Sequence, residues 1–580
     1  MKADRARGDV KPMKREISTG NQDFENLRVH HHFYVDKTDF IREWWQGADS
    51  VTLITRPRRF GKTLNMSMLN CFFSNKYANR GELFEGLKVW DVPEMRTQQG
   101  QWPVIFLSFA GIKGTTLAGT VEQMKIKLTE LFTGFPELYA YSGFDENEKE
   151  ALKGIQRKMS DTDAALSLHL LSSLLEKIYG KKVLILLDEY DTPLQEAYIH
   201  GFWDGLVDFT RTMFNNAFKT NSSLERGIMT GITRVSKESI FSDLNNLTVI
   251  TTTTPLYTTS FGFTEGEVFE ALDQQGFGEA EKQEVKTWYD GFTFGDVQDI
   301  YNPWSVTNYL NFRMLDTYWA NSSGNGLIAS LIRRGDPEIK SLFEILMNGG
   351  EIKVPIDEQI IYNQLDTNAD AVWSLLLATG YVKPTAVTSL REASRERKKR
   401  EYTLKLTNLE VLTMFQTLFQ NWFAQTACGL SSFTKALLQG DTRGMRRYLN
   451  EIMLNSMSYF DGGKQPSYRV PENFYHGLVL GLLAENMREY EVTSNRESGF
   501  GRYDVMLVPR MEGLPAAILE FKVFDQEDGE NTLEDTSRNA LKQIEEKQYE
   551  ASLLCRGIPK EKILKYGFAF RDKECLIQKG

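Results

Sequence analysis

Two groups of residues in this 580-residue sequence have the types and the spacing that chemistry on phosphates requires. The first group follows the apolar run 50–55 and consists of Arg56, Pro57, Arg58, Arg59, Phe60, Gly61, Lys62 and Thr63. In such a strand–turn–helix, Gly61 lets the backbone close around an anion, Lys62 reaches the outer phosphates, and the Thr63 hydroxyl ligates magnesium. The complete phosphate-binding pattern has glycine where Arg56 stands. Taken alone, the run therefore leaves nucleotide binding and an ordinary strand–turn–helix corner equally open.

Acidic residues at the end of another apolar run favour the nucleotide interpretation. Five apolar residues, 183–187, precede Asp188 and Glu189. Because ligands bind at the carboxyl ends of strands in open α/β sheets, Asp188 is predicted to hold magnesium and Glu189 to orient the attacking water. Thr230, Thr233 and Arg234 end a third run and are predicted to face the γ-phosphate, although capping hydroxyls and a surface ion pair explain them equally well.

The second group lies near the carboxyl end and consists of Asp504, Glu520 and Lys522. Residues two apart on a strand share a face, so Glu520 and Lys522 point the same way, and we predict that Asp504 shares that face. Two carboxylates and a lysine on a buried face are costly unless a divalent cation lies between them. This set is suited to phosphodiester hydrolysis. The alternative is a solvent-facing ion pair, which the apolar neighbours of Glu520 disfavour.

The elements that must position these groups predict an α/β protein with a helical middle. Parallel strands are predicted over 50–55, 102–109, 182–188 and 225–234, and helical patterns dominate from 264 to 456. Within that stretch, a helix over 371–383 and a strand over 402–406 resemble a winged helix, with a basic loop over 391–400. The C-terminal part is predicted to contain a helix from about 471, strands over 490–493, 502–508, 516–523 and 565–570, and a helix over 536–549. The predicted divisions are a flexible tail (1–24), a parallel-sheet domain (25–263), a helical region (264–456) and a C-terminal α/β domain (457–580).

Composition restricts the class of protein. With 41% hydrophobic and 25% charged residues, the chain is an ordinary globular protein, and its net charge of −10 confines any nucleic-acid site to a local groove. The cysteines are scattered and none forms a CxxC pair, so neither a zinc knuckle nor a disulfide framework is predicted. No apolar run reaches the roughly 18 residues of a membrane span, and residues 1–14 lack a signal-peptide core. A cytoplasmic location and no membrane partner are expected.

Several motifs together carry a family resemblance. They are the segments 34–38 (YVDKT), 56–63 (RPRRFGKT), 183–191 (VLILLDEYD), 229–247 (MTGITRVSKESIFSDLNNL), 261–268 (FGFTEGEV), 288–292 (WYDGF) and 301–305 (YNPWS). With these motifs the chain resembles the AAA-ATPase-like family that is often fused to a PD-(D/E)xK nuclease-like domain. The resemblance implies an AAA-like P-loop ATPase domain that binds ATP and Mg²⁺ through residues 56–63, Asp188, Thr230 and Arg234, with Glu189 catalytic. Arginine at position 56 is usual in that family.

The C-terminal domain resembles the PD-(D/E)xK nuclease fold, with Gly501-Arg-Tyr-Asp504 in place of the Pro-Asp pair. The resemblance implies that Glu472 joins Asp504 and Glu520 as a metal ligand and that Gln543 belongs to the site. His476 is a further candidate ligand or proton carrier, although a lone helical histidine is more often only packed. The implied function is an ATP-coupled nuclease that acts on nucleic acid, DNA in the first instance. A nucleotide-dependent switch or scaffold that binds without cutting is the alternative, and homo-oligomerisation stays open.

Overall fold

The computed structural model of the chain describes most of its residues. The described residues are 15–234, 240–241, 244–320, 327–328, 331–332, 337–347, 349–357, 365, 370–388, 400–426, 430–457, 479, 483, 490–498, 501–511, 513–525, 529–571 and 574–580. The chain divides into two compact units. The first comprises 1–333 and 345–413, and the second 334–344 and 414–580.

The first unit is built around a parallel sheet. Its strands are β1 (Val51–Thr55), β2 (Val104–Ser108), β3 (Val183–Asp188), β4 (Leu224–Gly231) and β5 (Leu247–Ile250), in the order β2-β3-β4-β1-β5. All neighbouring pairs run parallel. Every residue of β1 and β3 is buried, as their unbroken apolar runs predict for central strands. The sequence did not reveal β5; it directly precedes the threonine run 251–254, which forms a turn.

Helices connect and flank these strands. They are α1 (Phe24–Val29), α2 (Asp39–Gln46), α3 (Lys62–Phe73), α4 (Pro93–Arg96), α5 (Leu117–Thr133), α6 (Glu137–Ala140), α7 (Glu146–Gly154), α8 (Asp161–Tyr179), α9 (Thr192–His200) and α10 (Trp203–Phe214). Helix α8 ends at Gly180, whose φ of 63° is the left-handed conformation that glycine adopts readily. Helix α3 begins at Lys62, within the run 56–63.

The predicted flexible tail is too long. Residues 15–24 pack on the first unit: the Phe33 N–H donates to the Glu16 carbonyl, and Phe24 is completely buried at the start of α1. Residues 1–14 lie outside the described part of the chain. A stretch without a strong apolar period can therefore still be tied down by backbone hydrogen bonds and one aromatic anchor.

The middle of the chain contains small sheets as well as helices. Strands β6 (Phe263–Thr264), β7 (Phe292–Phe294) and β8 (Val297–Tyr301) form one sheet, and β9 (Ile352–Pro355), β10 (Val382–Val387) and β11 (Glu401–Leu406) form another. The helices here are α11 (Glu265–Gln274), α12 (Glu279–Tyr289), α13 (Pro303–Phe312), α14 (Pro337–Met347), α15 (Ala371–Thr379) and α16 (Leu409–Thr426). The predicted helix and wing correspond to α15 and the β10–β11 hairpin, which β9 extends.

The second unit contains a mixed sheet with helices on both faces. Its strands are β12 (Tyr490–Ser498), β13 (Gly501–Pro509), β14 (Ala516–Val523), β15 (Ile563–Arg571) and β16 (Glu574–Lys579), paired in that order. Only the β14–β15 pair is parallel among these. This unit also contains the helices α17 (Leu430–Gln439), α18 (Thr442–Met457), α19 (Leu533–Glu546) and α20 (Ala551–Cys555).

The predicted start of the C-terminal domain at 457 is too late. Phe433 and Leu437 of α17 and Met445 and Leu449 of α18 share one hydrophobic core with strands β13 to β16. Their helical period was correctly predicted, but period alone does not tell which sheet a helix covers. Of the helix predicted from Pro471, the structure describes Val479 and Leu483, which are helical and belong to the same core, and the other residues from 471 to 483 lie outside the described part of the chain. Among the described helices, none combines the length and the apolar character needed to cross a membrane.

Candidate functional site

The run 56–63 forms a loop whose backbone is prepared for an anion. Arg59 and Gly61 both have left-handed φ angles, 65° and 79°, and Gly61 directly precedes α3. Among the described residues, none accepts a hydrogen bond from the backbone N–H groups of Arg58, Arg59, Phe60 or Gly61. Consecutive free N–H groups at a helix N-terminus attract negative charge. The loop therefore offers donors to a phosphate.

Lys62 places its amine inside this loop. Its Nζ donates to the carbonyl oxygens of Arg56, at 2.9 Å, and Pro57, at 2.8 Å. Burial lowers the pKa of Lys62 to about 8, and the carboxylates of Glu189, Asp191 and Asp188 partly oppose this. The amine thus lies within the loop on neutral acceptors, which an anionic ligand would replace with stronger, charge-assisted bonds.

Asp188 joins three hydroxyl groups at the end of β3. Its Oδ2 accepts from Thr63 Oγ1 at 2.9 Å and from Ser108 Oγ at 3.4 Å, and its Oδ1 accepts from Thr230 Oγ1 at 2.5 Å. Burial raises the pKa of Asp188, while the Thr230 and Thr63 hydroxyls act in the opposite direction. The structure therefore brings Thr63 and Asp188 together, and hydroxyl and carboxylate oxygens are donors that suit Mg²⁺.

The segment after Asp188 is fastened to the end of β4. The Glu189 N–H donates to Thr230 Oγ1, and Glu189, with a left-handed φ of 53°, accepts from the Thr192 hydroxyl. The Tyr190 hydroxyl donates to the Thr233 carbonyl. Through these bonds the strand that carries the acids and the strand that carries the threonines keep a fixed spacing at the site.

Sequence reasoning did not assign a role to Asp191, which this fastening depends on. Its Oδ2 accepts from the N–H groups of Ile232 and Thr233, both at 2.9 Å, and from the Thr233 hydroxyl. Burial raises the pKa of Asp191. Thr233 is thereby turned toward Asp191, and Arg234 follows it, partly buried. The sequence did contain a signal for this role, because Asp191 is the third acid in the short segment that begins with Asp188, the predicted magnesium ligand.

Arg56 has its guanidinium in the protein interior. It is fully buried, donates to the carbonyl oxygens of Thr55, Thr251 and Leu256, and lies 4.6 Å from the centre of the Phe294 ring. Burial lowers its pKa to about 9. These contacts give Arg56 a packing role in this structure. Its neighbours in the loop range from buried Pro57 and Phe60 to half-buried Arg58 and exposed Arg59.

The second unit places Asp504 and Glu520 at neighbouring positions of two paired strands. The antiparallel register pairs Val505 with Leu519, and Asp504 and Glu520 are the next residues beyond that pair. Residues directly opposite in such a pair have their side chains on one face. Asp504 Oδ2 accepts from the Phe521 N–H at 2.7 Å, and burial raises the pKa of Asp504 to about 6 against the opposing effects of that bond and of Lys522.

Helix α19 supplies the next member of this site. Gln543 Nε2 donates to Glu520 and also lies 3.2 Å from the Tyr549 hydroxyl. The helix lies close to the sheet because β15 has Gly567 beside Glu520, and a side chain there would collide with the Ser537 carbonyl. The sequence thus positions Gln543 through a glycine on a different strand.

Of the predicted side chains, Asp504 lies on β13, Glu520 and Lys522 lie on β14, and Gln543 lies on α19. Glu520 is 2% exposed, and Lys522, two residues further along β14, is half-buried and lowers the Asp504 pKa. A buried carboxylate, Glu520, and a half-buried one, Asp504, whose pKa is raised, fit a divalent cation that offsets their charge. Glu472 and His476 lie outside the described residues.

Comparisons with known proteins match one family in the N-terminal part of the chain and another in the C-terminal part. Residues 18–241 match the family described as "Predicted AAA-ATPase", and residues 470–580 match the "PD-(D/E)XK nuclease superfamily". The chain is also similar, at 22% identity over 565 residues, to an "Uncharacterized protein in vnfD 5'region" of Azotobacter chroococcum mcd 1, with 94% of this chain and 95% of the relative covered. The predicted family resemblance and fold class are confirmed.

Proposed function

We propose that this chain, which contains an AAA-ATPase-like domain and a PD-(D/E)XK nuclease superfamily domain, hydrolyses ATP and cleaves phosphodiester bonds in nucleic acid. The observation that supports the nuclease half is that Asp504 and Glu520 follow the Val505–Leu519 pair on adjacent strands, with Lys522 close enough to lower the pKa of Asp504. The free backbone donors of the loop 58–61 support the ATPase half.

In the first unit, the N–H groups of the loop and the Lys62 amine bind the phosphates of ATP. Thr63 and Asp188 would hold Mg²⁺, which neutralises phosphate charge when bound. Thr230 keeps Asp188 in place, and Glu189 orients the attacking water. Asp191 keeps the end of β4 in register with these groups.

In the second unit, Asp504 and Glu520 would hold a divalent cation that activates water and stabilises developing negative charge. Gln543 fixes the Glu520 carboxylate through its amide donor. Lys522 then positions the water and lies beside the phosphate oxygens. DNA is the proposed first substrate, and a cytoplasmic location is proposed because the three cysteines in the described part of the chain, Cys71, Cys555 and Cys575, are free thiols.

The test is a cleavage assay with the purified full chain on single- and double-stranded DNA and on RNA, with Mg²⁺ or Mn²⁺ and with or without ATP. Wild type should cut at least one substrate, and Lys522→Ala should lose cleavage while its ATP hydrolysis stays unchanged. Lys542→Ala, an exposed lysine on α19, is the matched control. Absence of cleavage under every condition would favour the switch or scaffold that binds without cutting.

A further inference from the structure

We propose that Asn302 and Trp319, here named the Arg58 clamp, are positioning residues that set one peptide of the phosphate-binding loop for ATP. The proposal rests on the nucleotide site proposed above and adds residues from outside the predicted site. It also explains the segment 301–305 (YNPWS), which was predicted to mark a family but had no chemical role.

The clamp acts on one carbonyl oxygen. Arg58 O accepts from Trp319 Nε1 at 3.0 Å and from Asn302 Nδ2 at 3.3 Å. All peptides described here are trans, so the C=O of Arg58 and the N–H of Arg59 point in opposite directions. Two donors that hold the carbonyl on one side therefore hold the Arg59 N–H on the other side. That N–H is one of the free donors of the loop.

The Arg58–Arg59 peptide needs such support because Arg59 has a left-handed φ of 65°. A residue with a Cβ adopts that conformation at a cost, and the surrounding contacts must maintain it. Trp304 adds to this support, since the Arg59 guanidinium lies 4.3 Å from the centre of its ring. The 301–305 segment thus contacts both residues of the peptide.

Asn302 both accepts and donates hydrogen bonds, and the asparagine amide carries one group for each. Its Oδ1 accepts from the N–H groups of Trp304 and Ser305 and so caps α13, while its Nδ2 donates to Arg58 O. Aspartate would keep the cap and lose the donor. Asn302→Asp therefore separates the effect on the loop from the effect on the helix.

Trp319 is itself held by a buried acid. Glu410 is completely buried at the start of α16, and it accepts from the N–H groups of Trp319 and Ala320 and from the Ser305 hydroxyl. Trp319 also packs against Tyr381 and Phe292. These contacts fix the indole so that its N–H meets Arg58 O.

The experiment measures ATP binding by calorimetry and the steady-state kinetics of ATP hydrolysis, both with Mg²⁺, for wild type, Asn302→Asp, Trp319→Phe and the double variant. We expect each single change to weaken ATP binding roughly three- to tenfold and the double change by at least about tenfold. KM should rise while kcat stays within about twofold, because Asp188 and Glu189 are untouched.

Matched controls separate this effect from general damage. Trp288→Phe removes an indole that packs in another cluster, and Asn246→Asp changes an amide that donates to Phe218 O. Both controls should bind ATP as wild type does. If Asn302→Asp unfolds, Trp319→Phe decides alone, since it keeps an aromatic ring and loses only the N–H donor.

Two results would overturn the proposal, and they distinguish a failure of the Arg58 clamp from a failure of the nucleotide site. If folded variants bind ATP within twofold of wild type, the clamp is wrong and the nucleotide site stands. If wild type binds no ATP, the nucleotide site is wrong and the clamp falls with it.

Discussion

Asp188 and Asp504 are both acids on buried strands, but the two sites surround them differently. Asp188 accepts hydrogen bonds from the hydroxyls of Thr63, Thr230 and Ser108. Asp504 accepts one backbone N–H and has a second carboxylate, Glu520, across the strand pair. The first acid is held by neutral donors, while the second adds to the negative charge of its neighbour.

The groups that could bind a ligand in each site differ accordingly. In the first unit, the free groups are N–H donors of the loop 58–61, and the Lys62 amine rests on carbonyl oxygens that a ligand can displace. In the second unit, the carboxylates of Asp504 and Glu520 are carried by neighbouring positions of two paired strands. One site is therefore suited to recruit an anion and the other a cation, which is the expected difference between a nucleotide site and a metal-dependent nuclease centre.

The largest expected effect is on ATP binding at the proposed nucleotide site of the first unit. Lys62→Ala should weaken ATP binding by at least about 100-fold, because it removes the buried charge that would bond to the phosphates. Calorimetric titration with ATP and Mg²⁺ measures it. Lys127→Ala, an exposed lysine of α5 paired with Glu130, should bind as wild type does. Normal ATP binding by Lys62→Ala would contradict the proposal that this loop binds the phosphates of ATP.

The next largest effect is expected in the second unit, where a change at Asp504 should alter stability. Burial raises the pKa of Asp504 from its usual 3.8 to about 6 in the folded chain, so the contribution of this group to stability is complete below pH 4 and is lost as pH rises through 6. Asp504→Asn avoids this loss and keeps an acceptor for the Phe521 N–H. Without metal, we expect the second unit of this variant to be more stable than wild type by about 1–2 kcal/mol at pH 7.5, after allowance for solvent screening, and equal to it below pH 4.

Thermal unfolding in a chelating buffer at both pH values measures this difference. Asp535→Asn gives the matched contrast, because hydrogen bonds from Thr532 and Asn531 lower the pKa of that exposed acid. Its substitution should destabilise the chain at pH 7.5 and have a decreasing effect as pH falls. A loss of stability in Asp504→Asn at pH 7.5 would show that the negative charge of Asp504 does not destabilise the folded chain.

The smallest expected effect on ATP binding comes from Arg56. Arg56→Lys should lower the free energy of unfolding by about 1–2 kcal/mol, because lysine cannot reproduce the bonds to three carbonyl oxygens. ATP affinity should change less than twofold. Arg157→Lys, a change at an exposed position of the first unit, should leave stability within about 0.5 kcal/mol. A large loss of ATP binding in Arg56→Lys at unchanged stability would place Arg56 in the site.

The sequence predicted the elements that carry an uninterrupted or alternating apolar pattern. Strands β1, β3 and β14 lie where their apolar runs predict, and the spacing of Glu520 and Lys522 on one strand gave their common face. The approach of Asp504 to Glu520 depends on strand register, which the hypothesis assumed and the structure supplies. Strand β5 was missed because four residues carry too little pattern.

Contacts between distant segments could not be predicted in this way. Asp191, Glu410 and Asn302 owe their positions to partners 41 to 244 residues away in the chain. The boundary of the second unit was misplaced for the same reason, since Phe433 and Leu449 pack on strands that follow much later. Local period predicts a helix and its apolar face, but it does not predict which surface will cover that face.

The most direct test compares two buried acids of the second unit. Glu520 and Glu530 are 2% and 6% exposed, but Glu530 accepts bonds from Thr536, Asn539 and the Asp525 N–H and has a structural role. We predict that Glu520→Gln loses metal-dependent cleavage of nucleic acid by at least about 100-fold, while Glu530→Gln still cuts. Equal cleavage by wild type and Glu520→Gln would contradict the proposed nuclease centre.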